Sequence, residues 1–225
     1  MTKYSKVPIL AIDTSTSYLS LALAVNTNIY TRHLNVGNKQ SEQILPQITE
    51  LFNQAGILAS DLGQIVYSAG PGTFTGLRIG IGVAQGLATP FDTPLQGIPT
   101  LDCIAELKFH HPCVLAAIDA RMGEVFYAWY DTMNHKRLSD YCLGKAEEIR
   151  LPAGYQDAVG VGNAYTLDNP PPFSGSSDMP TAANYLALAN SGRYPLTSAA
   201  NAELLYIRNK IALTTKEQAE NKGIA

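Results

Sequence analysis

The chain is poor in the side chains that hold metals or act as covalent catalysts. Its 225 residues include three cysteines, Cys103, Cys113 and Cys142, with no Cys-x-x-Cys pair. A zinc ribbon or a dithiol redox motif is therefore not expected. Four histidines, His33, His110, His111 and His135, offer no His-x-x-x-His pair, which removes the usual helical metal site. No Gly-x-Ser-x-Gly elbow is present, so a hydrolase nucleophile of that type is missing, although spacing says nothing about a triad assembled in space. No apolar run approaches the ~20 residues of a membrane helix. Met1 to Lys6 is too short and polar to act as a signal peptide, so cytosol is the expected location. Charge is also sparse: 16% of residues are charged and the formal net charge is −3. Nucleic-acid affinity rests mainly on cation–phosphate contacts. A chain with this balance would rely on a partner for most of any such binding.

Glycine, by contrast, is concentrated. Gly70-Pro71-Gly72-Thr73-Phe74-Thr75-Gly76-Leu77-Arg78-Ile79-Gly80-Ile81-Gly82 follows the apolar run Ile65 to Ala69, which reads as a buried strand. It leads into a helical segment, Thr75 to Thr89, that contains Gly76, Gly80, Gly82 and Gly86. Each interior helical glycine costs roughly 1 kcal/mol relative to alanine. Such a cost implies a need for bare backbone, to meet a phosphate or a closely packed helix, within the chain or in another subunit.

The remaining chain divides into two similar halves. Val7 to Ile12 reads as a strand, Leu19 to Val25 alternates with period two, and Ile29 to His33 returns after an Asn-Thr-Asn turn. Ser41 to Ala55 carries Ile44, Leu45, Ile48, Leu51 and Phe52 at helical spacing, with Gly56 as C-cap. Pro46 fits there only in the first turn or at a kink. A strand at Pro94–Ile98 and a helix at Leu101–Leu107 follow. Leu10-Ala11-Ile12-Asp13 then finds a counterpart in Ala116-Ala117-Ile118-Asp119, again followed by an alternating strand, Glu124 to Asp131. Val159-Gly160-Val161-Gly162 weakly repeats a strand running into glycine. The expected fold is α/β, with two subdomains that each hold a mixed sheet covered by helices. The boundary falls near residue 100, giving units of 1–100 and 101–225, with the last helix free to pack back on the first unit. Asp168 to Pro180 reads as a loop, Thr181 to Asn190 as a small-residue helix, and Asn201 to Leu213 as a final strand or helix. Thr214 to Ala225 is polar and expected to fray.

Few residues qualify for chemistry. Asp13-Thr14-Ser15 lies at a strand end, where an Asp and hydroxyls hold hydrated magnesium and phosphate, or equally brace a turn. Gly70 and Gly72 provide either a tight turn or anion-binding amides at a helix start. Asp119 and Arg121 share a strand face and either pair across a cleft or brace the turn.

Several motifs occur in order: Ile12-Asp13-Thr14-Ser15, Ser41-Glu42-x-x-Leu45-Pro46, the glycine segment, Gly97-Ile98-Pro99-Thr100-Leu101 and Ile118-Asp119-Ala120-Arg121. The opening and the duplicated plan resemble the actin/hexokinase/Hsp70 superfamily, and the ordered set resembles the bacterial TsaB (YeaZ) family over residues 8–130. The resemblance implies a non-catalytic partner of the TsaD transferase in forming threonylcarbamoyladenosine beside the tRNA anticodon. The ATPase TsaE is a further implied partner, tRNA is engaged indirectly through the complex, and the free chain is expected to be a homodimer. It implies a helical interface carrying Ser41, Glu42, Leu45, Pro46, Gly76, Ile79, Gly80, Gly82, Val83 and Gly86. It leaves ATP or ADP with Mg at Asp13, Thr14, Ser15, Gly70 and Gly72 as a cofactor option within the complex. An ATP-dependent phosphotransferase of the same superfold is the alternative reading.

Overall fold

The computed structural model describes residues 7–207. Chain order begins with a β-meander: β1 (Ile9–Asp13), β2 (Tyr18–Val25) and β3 (Asn28–Asn35). Helix α1 (Gln40–Ala55) follows, then β4 (Gln64–Gly70), α2 (Phe74–Ala88), β5 (Leu95–Pro99) and α3 (Thr100–Ala105). The second half holds β6 (Val114–Arg121), β7 (Glu124–Asp131), β8 (Lys136–Arg137), β9 (Cys142–Lys145), β10 (Val159–Val161), β11 (Gly175–Ser176) and α4 (Ala182–Ala189).

The first sheet runs β3-β2-β1-β4-β5 and the second β11-β10-β6-β7-β8, with β9 also on β7. In both, the central strand pairs antiparallel with its hairpin partner and parallel with a later strand: β1 with β2 and β4, β6 with β7 and β10. The expected duplication is therefore visible as a repeated pairing scheme. The second copy is reduced. Where α1 and α2 cover the first sheet, the second half has single turns at Ala146–Glu148 and Asn163–Thr166.

Side-chain alternation sets the layers. On β1, Leu10 and Ile12 join Ile44, Ile48 and Leu51 of α1 and Ala84 and Ala88 of α2. Ile9 and Ala11 face the other way, onto Tyr185 and Leu186 of α4. α4 thus returns from the second half to the first sheet. α3 lies between the sheets: Cys103 packs with the first, while Leu101, Ile104 and Ala105 pack with Val114, Ala116 and Ile118 of β6. Val125, Tyr127 and Trp129 share a face of β7 as expected, but the other face is covered too, by Ala128 and Tyr130 in the α3 cluster.

Helix ends follow local chemistry. Gly56 caps α1 in the left-handed region at φ 66°, donating to the Phe52 and Asn53 carbonyls. Thr181 and Asn184 form a reciprocal capping box on α4. Pro46 lies beyond the first turn of α1, on its exposed side. Asp168–Pro180 is loop except for β11. Past a single turn at Ala199–Asn201, residues 202–207 have no regular structure, and the rest of the expected 201–213 element and the 214–225 tail lie outside the described residues.

Candidate functional site

The β1–β2 turn and the glycine segment meet face to face. Asp13, Thr14 and Ser15 are 5%, 0% and 2% exposed. The Ser15 amide donates to Asp13 Oδ1 at 2.9 Å, and the Thr14 hydroxyl donates to the Gly76 carbonyl at 2.7 Å. The Thr73 amide donates to the Ser15 carbonyl at 2.8 Å. A methyl group on Gly72 would sit 2.6 Å from that same carbonyl. On Gly76 it would collide with the Thr14 carbonyl, and on Gly80 with the Thr14 hydroxyl. The bare backbone of the first half of α2 is thus needed inside the chain.

The geometry places two groups of the expected site residues inside the chain. Gly76 and Gly80 are buried against Thr14, so their glycine identity is explained without a partner surface. Asp13, Thr14 and Ser15 are closed off by the segment expected to form a phosphate cradle with them, and none of the three lines the cleft described below. Gly70 is left-handed at φ 99°, with Leu77 3.0 Å from where a Cβ would project, so its role is that of a turn. Gly72 alone of that group reaches the cleft. Burial raises the Asp13 pKa above its ordinary 3.8, with only partial compensation from the Ser15 amide. Ser15 Oγ, Thr100 Oγ1 and Tyr185 OH are buried close to one another beside Asp13.

The second half of α2 faces outward. Gly82 and Gly86 are exposed and have open space where a Cβ would project. Ile79 and Val83 are half-buried on the first core. On α1, Ser41, Glu42 and Pro46 are exposed, and Leu45 is 53% exposed. The two helices touch each other. Of the residues expected at a partner surface, eight therefore lie wholly or partly at the surface of this helix pair: Ser41, Glu42, Leu45, Pro46, Ile79, Gly82, Val83 and Gly86.

A cleft of about 570 Å³ opens between the two halves. Its walls come from the start of α2 (Pro71 to Phe74, Leu77, Arg78), from the β6–β7 hairpin (Asp119 to Arg121, Phe126) and from residues 204–207. Arg78 stacks on Phe74 with its guanidinium carbon 3.8 Å from the ring centre. Asp119 Oδ1 accepts from the Arg121 amide at 2.8 Å, and Oδ2 lies 3.5 Å from the guanidinium, so this pair braces its own hairpin. Sequence reasoning singled out Asp119 and Arg121 but missed Phe74 and the 204–207 wall, whose placement is a tertiary matter.

A second polar constellation was also missed. Asp102 of α3 accepts hydroxyls from Tyr130 and Tyr141 at 2.7 Å on Oδ1 and from Tyr194 at 3.0 Å on Oδ2. Burial and this carboxylate raise the pKa values of all three phenols, so they stay protonated donors. One turn on, Glu106 takes Arg193 at 2.7 Å and His135 at 3.2 Å. No signal in the sequence pairs a carboxylate with tyrosines 28, 39 and 92 positions away. Among the described residues, no group of three or more His, Cys, Asp or Glu side chains could hold a metal ion. No described helix is long and apolar enough to cross a membrane.

A duplicated pair of mixed sheets, with α3 between them and a cleft between the halves, defines a two-lobed α/β protein of the actin/hexokinase/Hsp70 type. Comparison with known proteins narrows this. The chain belongs to the family described as "TsaD: tRNA N6-adenosine threonylcarbamoyltransferase", whose model matches residues 35–219, and its relatives group it with TsaB (YeaZ). It is 42% identical over 125 residues to the tRNA threonylcarbamoyladenosine biosynthesis protein TsaB of Escherichia coli (strain K12), covering 54% of each chain. It is 34% identical over 128 residues to the TsaB of Bacillus subtilis (strain 168), covering 56% of each. The aligned region spans about half the length of these curated relatives. The solved structure of YeaZ from Pseudomonas aeruginosa superposes with a TM-score of 0.78 at 28% identity, over 89% of this chain and all of that one.

Proposed function

We propose that this chain is a non-catalytic subunit in the formation of threonylcarbamoyladenosine on tRNA, docking a TsaD transferase through the outward face of α1 and α2. The named relatives support the pathway. The observation that carries the docking surface is the outward pair Gly82 and Gly86, which nothing among the described residues requires, beside the exposed Leu45. Glycines with no internal role lower helix stability, and close approach of another backbone is a reason to retain them. The same face serves a second copy of the chain when TsaD is absent, and TsaE joins the assembled pair. tRNA is engaged by the assembly, in the cytosol. The two regions near residues 1–100 and 101–225 act as lobes hinged at α3. A phosphotransferase finds less support, because Asp13 to Ser15 cannot reach the interlobe cleft without displacing Gly72 and Gly76.

The test is co-purification with TsaD from the same organism, with tRNA modification read alongside. Gly82→Leu and Leu45→Asp should each reduce recovery of TsaD and the modified nucleoside while leaving the thermal midpoint near the parent's. Full recovery with both substitutions would remove the docking assignment.

A further inference from the structure

The interlobe cleft is not used by that reading, and its chemistry is specific. Its walls are mostly apolar, yet an arginine enters from each lobe: Arg78 from α2 and Arg121 from the β6–β7 hairpin. Asp119 is the only carboxylate among the described lining residues, and it is bound to Arg121. Among the described lining residues the cleft thus carries two arginines against one carboxylate, in a chain whose formal net charge is −3. Two exposed rings line it, Tyr206 at 72% exposure and Phe74 at 56%, the latter with the Arg78 guanidinium on one of its faces. Exposed aromatic faces beside arginines are the combination that takes a stacked base and its phosphate.

The hairpin that presents Arg121 is built at a cost. Arg121 and Met122 both lie in the left-handed region, at φ 71° and 56°, ahead of Gly123 at 80°. A two-residue hairpin turn needs positive φ at both positions, which Asn-Gly supplies more cheaply than Met-Gly. The pairing register also shifts between Asp119 and Arg121, a bulge of the kind that redirects a side chain. Met122 at the tip is 98% exposed. Strained, exposed backbone of this sort is retained where it positions something for use.

We propose that the cleft binds a nucleotide unit of single-stranded RNA, with Arg78 and Arg121 on the phosphates and Phe74 and Tyr206 stacking on the base. The choice of an RNA strand as the natural source of that nucleotide rests on the tRNA reading above. The binding itself does not need TsaD.

The experiment titrates the isolated full-length chain with a short single-stranded RNA, a hairpin RNA, AMP and inorganic phosphate, read by NMR or fluorescence anisotropy. Saturable RNA binding is expected, with AMP competing more weakly. The Arg78→Ala/Arg121→Ala double substitution should weaken RNA binding at least about tenfold and flatten its log–log salt dependence by roughly 1.4, at about 0.7 for each phosphate left without its arginine. Tyr206→Ala should weaken binding without changing that slope. Arg32→Ala, on the far strand β3, should leave both unchanged. Binding of AMP but not of RNA would overturn the assignment of the strand. No binding of any probe, or binding equal in the double variant with an unchanged melting curve, would overturn the site. Failure here leaves the α1–α2 docking test untouched, and failure there leaves this one untouched.

Discussion

Thr14 and Gly76 lock the β1–β2 turn of the first lobe to the first turn of α2: the threonine hydroxyl donates to the glycine carbonyl at 2.7 Å, and a side chain on Gly76 would strike the Thr14 carbonyl. The four glycines of α2 therefore fall into two classes. Gly76→Ala should cost about 2 kcal/mol or more, because backbone on both sides would have to move. Gly80→Ala should cost less, since its nearest neighbour is the movable Thr14 hydroxyl, although turning it breaks the bond to Gly76. Gly82→Ala and Gly86→Ala meet open space and should each stabilise by roughly 0.5–1 kcal/mol. Urea unfolding of the four variants gives the comparison. A uniform response would show that the contact with Thr14 does not set the glycine requirement.

Asp13 is a fully buried carboxylate whose pKa is raised chiefly by desolvation, against smaller lowering effects from Ser15, Ser68 and His33. The folded state then binds its proton more tightly than the unfolded state. Its stabilising effect is full below the unfolded value, near 3.8, and is lost as pH rises through the higher folded value. Asp13→Asn keeps an oxygen for the Ser15 amide and removes the charge. The parent should lose stability relative to this variant as pH climbs from about 3.8 upward, and the variant should be the more stable at pH 7. Melting curves across that range check the sign, and a variant less stable at pH 7 would show that the Ser15 and Ser68 hydrogen bonds and His33 outweigh the desolvation of Asp13.

These two cases mark how far the sequence could be read. The strand runs, the duplication and the capped helices were legible, because hydrophobic period and turn chemistry are local: Leu10 and Ile12 alternate, and Gly56 follows the last apolar residue of α1. The need for bare backbone at Gly76 and Gly80 was legible as well, though Gly82 and Gly86 looked the same and meet open space. Which neighbour caused it was not, since Thr14 lies 62 positions away and both an internal and an external partner produce the same glycines. The candidate site was legible only in part. Arg121 and Gly72 reach the cleft, but Asp13 to Ser15 are sealed beneath it, and the wall at 204–207 depends on how the chain returns after α4. α3 reads as an ordinary amphipathic helix, and its acidic face gives no sign of the three tyrosines it gathers.

Gly162 should be the least replaceable glycine of the second lobe. It follows β10 at φ 120°, and a Cβ would run into the Ala117 carbonyl in the middle of β6. Gly162→Ala combines a strained backbone with a main-chain collision, so a loss of about 3 kcal/mol or more is expected. Gly56→Ala tests the conformational part alone, because its φ of 66° is left-handed but the space is open. About 1 kcal/mol is expected there. Equal losses at the two positions would mean that the Ala117 contact relaxes freely.

Asp102 should couple the lobes. Tyr130 lies on β7 of the second sheet and Tyr141 directly precedes β9, whereas Tyr194 follows α4, which packs on the first. Tyr194→Phe removes a single hydroxyl and should cost about 1–2 kcal/mol, the range for a hydrogen bond to a charged acceptor. Asp102→Ala leaves one buried and two half-buried phenols short of an acceptor and should cost distinctly more than Tyr194→Phe. In the double variant the tyrosine loss should largely vanish, because the carboxylate it served is already gone. Hydrogen exchange adds the spatial readout: Tyr194→Phe should speed exchange at residues 71–78 and 119–126, which face each other across the cleft, more than in the central strands β1 and β6. Additive losses, or exchange that rises evenly through the chain, would show that Asp102 stabilises its surroundings without holding the lobes at a set angle.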